Sequence, residues 1–365
     1  MRSATVVGAG VFGAWTAQAL RARGWRVTLV EQYGPGNSRA SSGGETRIIR
    51  SGYGSLATYS RWARESMPEW LRLEADSREQ LFVRTGVLFI GSAASSWLAE
   101  TAATLESERI PMEWLDRTER TRRFPQLSFG DADGLVEPEA GVLFARRAVQ
   151  ALAQRLARDG VKLERRRVDP GVEIRENSDD ALIFACGAWL AKLFADLPTV
   201  PILATRQEVF FFGTPAGDDS FDPTHLPAWV AFDEGIYGLP DLGHRGVKVA
   251  IDSHGPEVDP ETMDRVVDEV SIRRVREMLR TRIPALADAP LVESRVCQYE
   301  NTSDGHFLLD RLPGHDRVWI AGGGSGHGFK HGPAVGRYMA DLIEGGSGES
   351  MFELAGRPLR KRAVY

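Results

Sequence analysis

Across residues 1–31 the spacing of apolar positions changes twice. Ala4 to Val7 is a short apolar run of strand length, Phe12, Trp15 and Ala19 fall at helical spacing until Gly24, and "RVTLVE" returns to a strand closing on Glu31. Helical spacing recurs over 59–75 and again in "AGVLFARRAVQALAQRLARDGV", a loop entering a helix that stops at Gly160. "FVRTGVLFIG" reads as a strand with a turn at Gly86. "ALIFACGAWLAKLF" reads as a buried strand that carries Cys186 and turns at Gly187. From Arg206 onward "RQEVFFFG", "WVAFDEGIYGLP" and "GVKVAIDSHG" are β-rich and broken by turn residues, the pattern of an antiparallel sheet. "DPETMDRVVDEVSIRRVREMLRTRIPAL" predicts a helix capped by Asp259 or a near neighbour, and "AGGGSGHGFKHGPAVGRYMADLI" predicts strand, glycine loop and helix.

Composition narrows what such a chain can do. With 365 residues and 42% hydrophobic content there is material for two cores. A net charge of −5 leaves no Lys/Arg excess to attract nucleic acid or an anionic membrane, so any anion must be bound locally. No apolar run approaches the roughly 18 to 20 residues needed to span a bilayer. Two cysteines make no disulfide framework, and the N-terminus enters a strand without a signal-peptide pattern, so a reduced, cytoplasmic location is expected. His306, His315 and His331 lack metal-ligand spacing, and no metal is expected.

The first strand–helix joint carries the clearest chemistry. Gly8, Gly10 and Gly13 form G-x-G-x-x-G where missing side chains let a backbone approach a pyrophosphate, and Glu31 ends the next strand, placed to accept hydrogen bonds from a ribose. Its charge would repel a 2′-phosphate, which disfavours NADP. The chain then enters "GPGNSRASSGGETRIIRSGYG", too polar and glycine-rich for a buried strand and suited to lining a cofactor. The late glycine loop and the helix after it present amides and a positive helix end that suit an electron-rich ring edge.

"VVGAGVFG", "SSGGETRIIR", "YGLP", "VKVA", "CQY" and "IAGGGSGHGFKHGPAVG" occur in this order from residue 6 to 336. In them the chain resembles the flavin amine oxidases of the D-amino acid oxidase superfamily, in particular the monomeric sarcosine oxidase and N-methyltryptophan oxidase branch. The resemblance implies an α/β fold in which a Rossmann-like FAD-binding domain (1–80, 130–200 and 296–365) is interleaved with an antiparallel-sheet substrate domain (81–129 and 201–295). The stretch between Val161 and Cys186 looks shorter than the two or three strands usual there. FAD would lie along Gly8, Gly10, Gly13, Glu31, Ser41, Ser42, Thr46, Arg47, Gly324, Gly326, His327, Gly328 and Lys330. In the resembling enzymes the cysteine in the place of Cys297 carries the flavin through an 8α-thioether, which leaves Cys186 as a packing thiol. Arg50 and Lys330 would hold a substrate carboxylate, with Tyr237 and Tyr299 lining the cavity. Lys248 would contact the flavin through water and promote oxygen reduction, where positive charge stabilises developing superoxide. Arg47 would act electrostatically beside the ring. His327 reads either as a base or as a loop histidine bonded to backbone or cofactor, and the second reading is preferred.

Two positions depart from the sarcosine oxidase pattern. Gly43 and Asp252 stand where histidines are expected. Gly43 would leave room for a larger side group. Asp252, which resembles the arrangement in imino-acid oxidases of antibiotic pathways, would position the amine, unless it points outward from the turn-like "AIDSHG". The expected activity is oxidation of a small or cyclic amino or imino acid by hydride transfer from Cα to flavin N5, giving an imine, with O₂ reduced to H₂O₂ by a monomeric enzyme. A dehydrogenase of the same fold feeding a quinone or a protein, and a non-catalytic flavin-binding protein, are the alternatives.

Overall fold

The computed structural model describes residues 1–92, 95–195 and 202–355; the expected boundary at 200 and 201 and the end of the last segment at 365 lie outside the described residues. Two large sheets organise the chain. The first has six strands in the order Leu308–Arg311, Val318–Gly322, Ala181–Phe184, Ser3–Val7, Arg26–Glu31 and Lys162–Arg165. All neighbours are parallel except the hairpin formed by its first two. Its central strands Ala181–Phe184 and Ser3–Val7 are buried along their whole length because both faces are covered. On one face Val6, Val27 and Ile183 share a core with Trp15, Leu152 and Val335, which come from the helices Val11–Ala22, Ala145–Arg158 and Gly332–Ile343. On the other face Val7, Val30 and Phe184 pack with Val168, Leu190 and Leu312.

The turn after Ser3–Val7 depends on missing side chains. Gly8 has φ +106°, and a Cβ there would lie 2.2 Å from the Ala185 carbonyl oxygen. A Cβ on Gly13 would lie 1.9 Å from the oxygen of Gly8, so the helix can only start this close to the strand as glycine. Both contacts are to backbone and cannot be relieved by a rotamer change.

The second sheet has eight strands in the order Leu291–Asn301, Leu203–Phe212, Val247–Ile251, Ile236–Leu239, Ala228–Ala231, Val87–Gly91, Asp133–Glu137 and Glu113–Leu115. It is antiparallel apart from one parallel pairing, Ala228–Ala231 on Val87–Gly91. The helix Glu269–Arg282 buries Val275 and Leu279 in a core with Phe210, Phe212 and Val249 of this sheet. A small third sheet is formed by Thr46–Ile49, Gly141–Phe144 and Phe82–Val83, directly after the glycine- and serine-rich loop.

Several expectations change here. The stretch expected as one strand divides at Gly86, and Phe82–Val83 and Val87–Gly91 enter different sheets. The helix expected from Asp259 begins at Glu269. Asp268 caps it by accepting from the Ser271 amide at 2.7 Å, whereas Asp259 accepts from the Glu261 amide and pairs with Lys192. The segment boundaries at 130 and 296 also shift, because Asp133–Glu137 pairs with Val87–Gly91 in the eight-stranded sheet and Leu291–Asn301 crosses 296 as one strand. Cys186 lies beyond the end of its expected strand, which stops at Phe184. Among the described residues no helix is long and apolar enough to cross a membrane.

Candidate active site

Two cavities meet between the sheets. The first is a groove running from the glycine turn at Gly8 and Gly10 past Glu31, Ser42 and Cys186 to Cys297, Gly324, Gly326 and Gly328. Glu31 accepts from the amides of Ala9 and Tyr33, both at 3.0 Å, which fixes its carboxylate at the end of its strand. Ser42 accepts from the Val11 amide at 3.1 Å, and Ser41 donates to the Gln298 carbonyl at 2.9 Å, so the two serines tie the loop to the first helix and to Leu291–Asn301. The thiol of Cys186 borders the groove and donates to the Val7 carbonyl at 3.5 Å. Burial, together with the charges of Glu31 and Glu300, pushes it up, away from the thiolate form.

The second cavity is a chamber of about 100 Å³ bordered by Arg47, Arg50, Tyr237, Lys248, Asp252, Tyr299, His327 and Lys330. Cys297, Tyr299, Arg47, Gly326 and Phe329 border both cavities and so mark the boundary between them. Strand alternation puts Cys297 and Tyr299 on the same face of Leu291–Asn301. Arg47 donates to the carbonyls of Ser41 and Thr46, and its guanidinium comes within 3.8 Å of Cys297 Sγ.

Lys248 extends from Val247–Ile251 to donate to the carbonyl of Thr46 at 3.0 Å and to its hydroxyl at 3.3 Å, with the Tyr237 ring 5.8 Å away. Burial and then the Arg47 charge bring its pKa down to about 7. Arg50 is buried between the rings of Tyr53 and Phe89, at 4.5 and 5.7 Å, and donates to the Gly52 carbonyl. Lys330 donates to the Tyr53 hydroxyl at 2.7 Å and to the His327 carbonyl at 2.9 Å, and burial followed by the Arg50 charge holds it well below the ordinary lysine range. Opposite these cations, Asp252 accepts from the Tyr299 hydroxyl at 2.6 Å. Burial raises the Asp252 carboxyl, and the Tyr299 bond opposes that shift. Asp252 therefore faces the chamber rather than outward from its turn.

His327 meets the Gly305 carbonyl at 3.0 Å through Nε2 and the Tyr53 hydroxyl at 3.3 Å through Nδ1, and burial keeps the ring neutral. The expectation for Gly43 is corrected. A Cβ there would lie 1.7 Å from the Asn37 carbonyl oxygen, and Gly43 does not border the chamber, so the turn at Asn37 takes the space instead of a substrate group.

Residues 3–342 match a protein family described as FAD dependent oxidoreductase. The chain belongs to that family. As an FAD-dependent oxidoreductase it is 31% identical to a monomeric sarcosine oxidase of Bacillus sp. (strain NS-129), over 98% of this chain and 98% of that one. It is 34% identical to a monomeric sarcosine oxidase of Streptomyces avermitilis over 92% of each. In fold it is similar to L-proline dehydrogenase from P. horikoshii, with TM-score 0.81 and 22% identity over 97% of this chain and 96% of that one.

The groove fits the family's cofactor. A Cβ at Gly10 would meet only Ser42 Oγ, at 3.5 Å, and one at Gly324 nothing nearer than 3.9 Å, so these two glycines leave the floor open for a ligand. One buried carboxyl oxygen on the wall, Oε1 of Glu300, has no hydrogen-bond partner among the described residues. Sequence reasoning passed over three residues that shape the FAD-dependent site. Tyr53 accepts from Lys330 and meets His331 Nε2 at 2.8 Å. Glu137, buried at the end of Asp133–Glu137, accepts from the Ser51 amide through both oxygens, at 3.0 and 2.8 Å, and braces the turn after Arg50. The third, His331, follows Lys330 directly. His331 stood inside the matched motif "IAGGGSGHGFKHGPAVG", Tyr53 only close after "SSGGETRIIR", and Glu137 in no motif. Among the described residues no group of His, Cys, Asp or Glu is arranged to hold a metal ion.

Proposed function

We propose that this protein is a cytoplasmic, monomeric oxidase of a small amino or imino acid, with FAD bound covalently through Cys297 and O₂ as the electron acceptor. The observation that carries the reading is the placement of Cys297, Tyr299 and Arg47 on the boundary between groove and chamber. A ring anchored at Cys297 would have its dinucleotide tail in the groove and one face towards the chamber. When bound, the flavin supplies the acceptor for hydride from the substrate Cα. The six-stranded sheet and its helices hold the cofactor, and the eight-stranded sheet forms the roof over the substrate.

The chain's own residues divide the remaining work. Arg50 and Lys330 hold the substrate carboxylate in a partly dry pocket, where charge-assisted hydrogen bonds are strong. Tyr53 and Glu137 keep the two cations in place. Asp252, oriented by Tyr299, accepts the N–H of the amine and fixes Cα towards the ring. Tyr237 closes the chamber beside Lys248. Lys248 supplies positive charge where superoxide develops, with Thr46 and Arg47 setting its position and field.

The test is anaerobic mixing of purified protein with a panel of sarcosine, glycine, L-proline, L-pipecolate and N-methyl-L-tryptophan, read by flavin bleaching, followed by admission of air and measurement of peroxide. Bleaching by a small amino acid and stoichiometric peroxide are expected. Bleaching without prompt peroxide would assign the protein as a dehydrogenase, and no bleaching by any of these would remove the catalytic reading for this substrate class.

A further inference from the structure

Glu300 lies near the end of Leu291–Asn301, on the groove wall, with 6% of its surface exposed. Its carboxyl is pressed against the glycine turn that ends Val318–Gly322. A Cβ added to Gly322 would lie 2.3 Å from Leu190 Cδ1, 2.6 Å from Oε1 and 3.2 Å from Oε2, so the carboxyl packs directly on this turn. The amides of Gly323 and Gly324 favour the ionised form of the carboxyl, and Oε1 has no hydrogen-bond partner among the described residues. A buried carboxyl oxygen without a hydrogen bond costs free energy unless a ligand completes it.

The position selects the part of the ligand. Glu300 raises the thiol of Cys186, whose Cα would be 3.3 Å from a Cβ on Gly8. It therefore stands beside the glycine turn of the groove, between the Glu31 end and the Cys297 end, where the linker between adenosine and ring must pass. Both ribityl hydroxyls and phosphate oxygens accept hydrogen bonds, and the pyrophosphate is anionic. An ionised carboxylate here would oppose the cofactor's charge, whereas a neutral acid would donate to it.

We propose that Glu300 is a cofactor-holding residue, donating from Oε1 to an oxygen of the ribityl–pyrophosphate linker. The inference rests on the flavin occupying the groove as proposed above. Burial supports it by pushing the carboxyl well above the ordinary glutamate range, against the smaller opposing effect of the two amides. The titratable group that senses its charge is Cys186, which Glu31 also raises. On the adjoining strand Leu203–Phe212 its partner in register is Ala204, which carries no charge.

The experiment uses the full chain with Cys297→Ser, which makes the flavin exchangeable, alone and combined with Glu300→Gln or Glu300→Ala. FAD affinity is measured by quenching of flavin fluorescence between about pH 6 and about pH 10, spanning a raised carboxyl pKa. In the Cys297→Ser parent, rising pH removes the donor and sets a charge against the phosphates, so affinity should fall by about tenfold or more. Glu300→Gln keeps a donor for the linker without a titrating proton. It should bind FAD like the low-pH parent and show no such fall. Glu300→Ala should bind about tenfold more weakly at low pH. A parent whose affinity is flat with pH, a weakened Gln variant or an unchanged Ala variant would each overturn the proposal. If Glu300→Ala fails to fold, the comparison of parent with Gln still decides. No FAD binding by the parent would instead remove the cofactor reading on which the proposal rests.

Discussion

Lys248 is an amine placed where charge is costly. Burial and the Arg47 guanidinium both disfavour its cation, and together they bring its pKa to about 7. It is charged below that value and neutral above it, so a step that uses its positive charge slows as pH rises through about 7. In stopped-flow reoxidation of the reduced protein by O₂, the rate should show this fall, and Lys248→Met should be about a hundredfold slower with the fall abolished. A Lys248→Met rate equal to wild type would end the proposed role. Asp252 and Tyr299 form the second residue-scale test. Asp252→Asn keeps shape and loses charge, so kcat/KM for the true substrate should drop by about tenfold to a hundredfold. An unchanged kcat/KM would show that the carboxylate does not position the amine. Lys248 was legible because a lysine in an apolar alternating strand is out of place. Asp252 was legible only as a departure from a motif, with its orientation open until the Tyr299 contact at 2.6 Å settled it. Glu137 was invisible, since it braces the turn after Arg50 from a distant strand and belongs to no motif.

At the scale of elements, the strand Leu291–Asn301 shows what alternation can reveal. Cys297 and Tyr299, two apart, reach the chamber together, as the period of a strand requires. The same logic cannot show which strand lies alongside, and the parallel pairing of Ala228–Ala231 with Val87–Gly91 had no local signal. The helices Val11–Ala22 and Gly332–Ile343 make a similar point. Their apolar spacing was visible, but nothing in it showed that Gly336 lies against a helix backbone. A Cβ there would lie 2.3 Å from the Trp15 carbonyl oxygen, and backbone cannot rotate away. Gly336→Ala should therefore destabilise the fold by about 1–3 kcal/mol, the usual cost of overpacking. The measurement is Tm by calorimetry, with a decrease of a few degrees expected; an unchanged Tm would mean that the helices can separate without penalty.

For the whole molecule, segments far apart in sequence build each sheet, which is why the boundaries at 130 and 296 could not be read from local pattern. A strand's partner is chosen by burial across the fold, and Asp133–Glu137 carries the same apolar signature in either sheet. On the proposed reading the flavin would also have a structural role, its tail resting on the six-stranded sheet and its ring anchored through Cys297 to Leu291–Asn301 of the eight-stranded one. A ligand that binds only the folded state adds RT ln(1 + [L]/Kd) to stability, about 2.7 kcal/mol at a hundredfold excess over Kd. A cofactor already attached cannot be enriched by adding more. The thermal midpoint of the wild-type protein should therefore be independent of added FAD, while that of Cys297→Ser should climb with the logarithm of FAD concentration. If wild type and variant climb alike, the flavin is exchangeable in both and Cys297 does not anchor it. If neither climbs and the variant retains flavin through acid precipitation, the attachment lies at another residue, and the boundary position of Cys297 would then reflect packing against Arg47 alone.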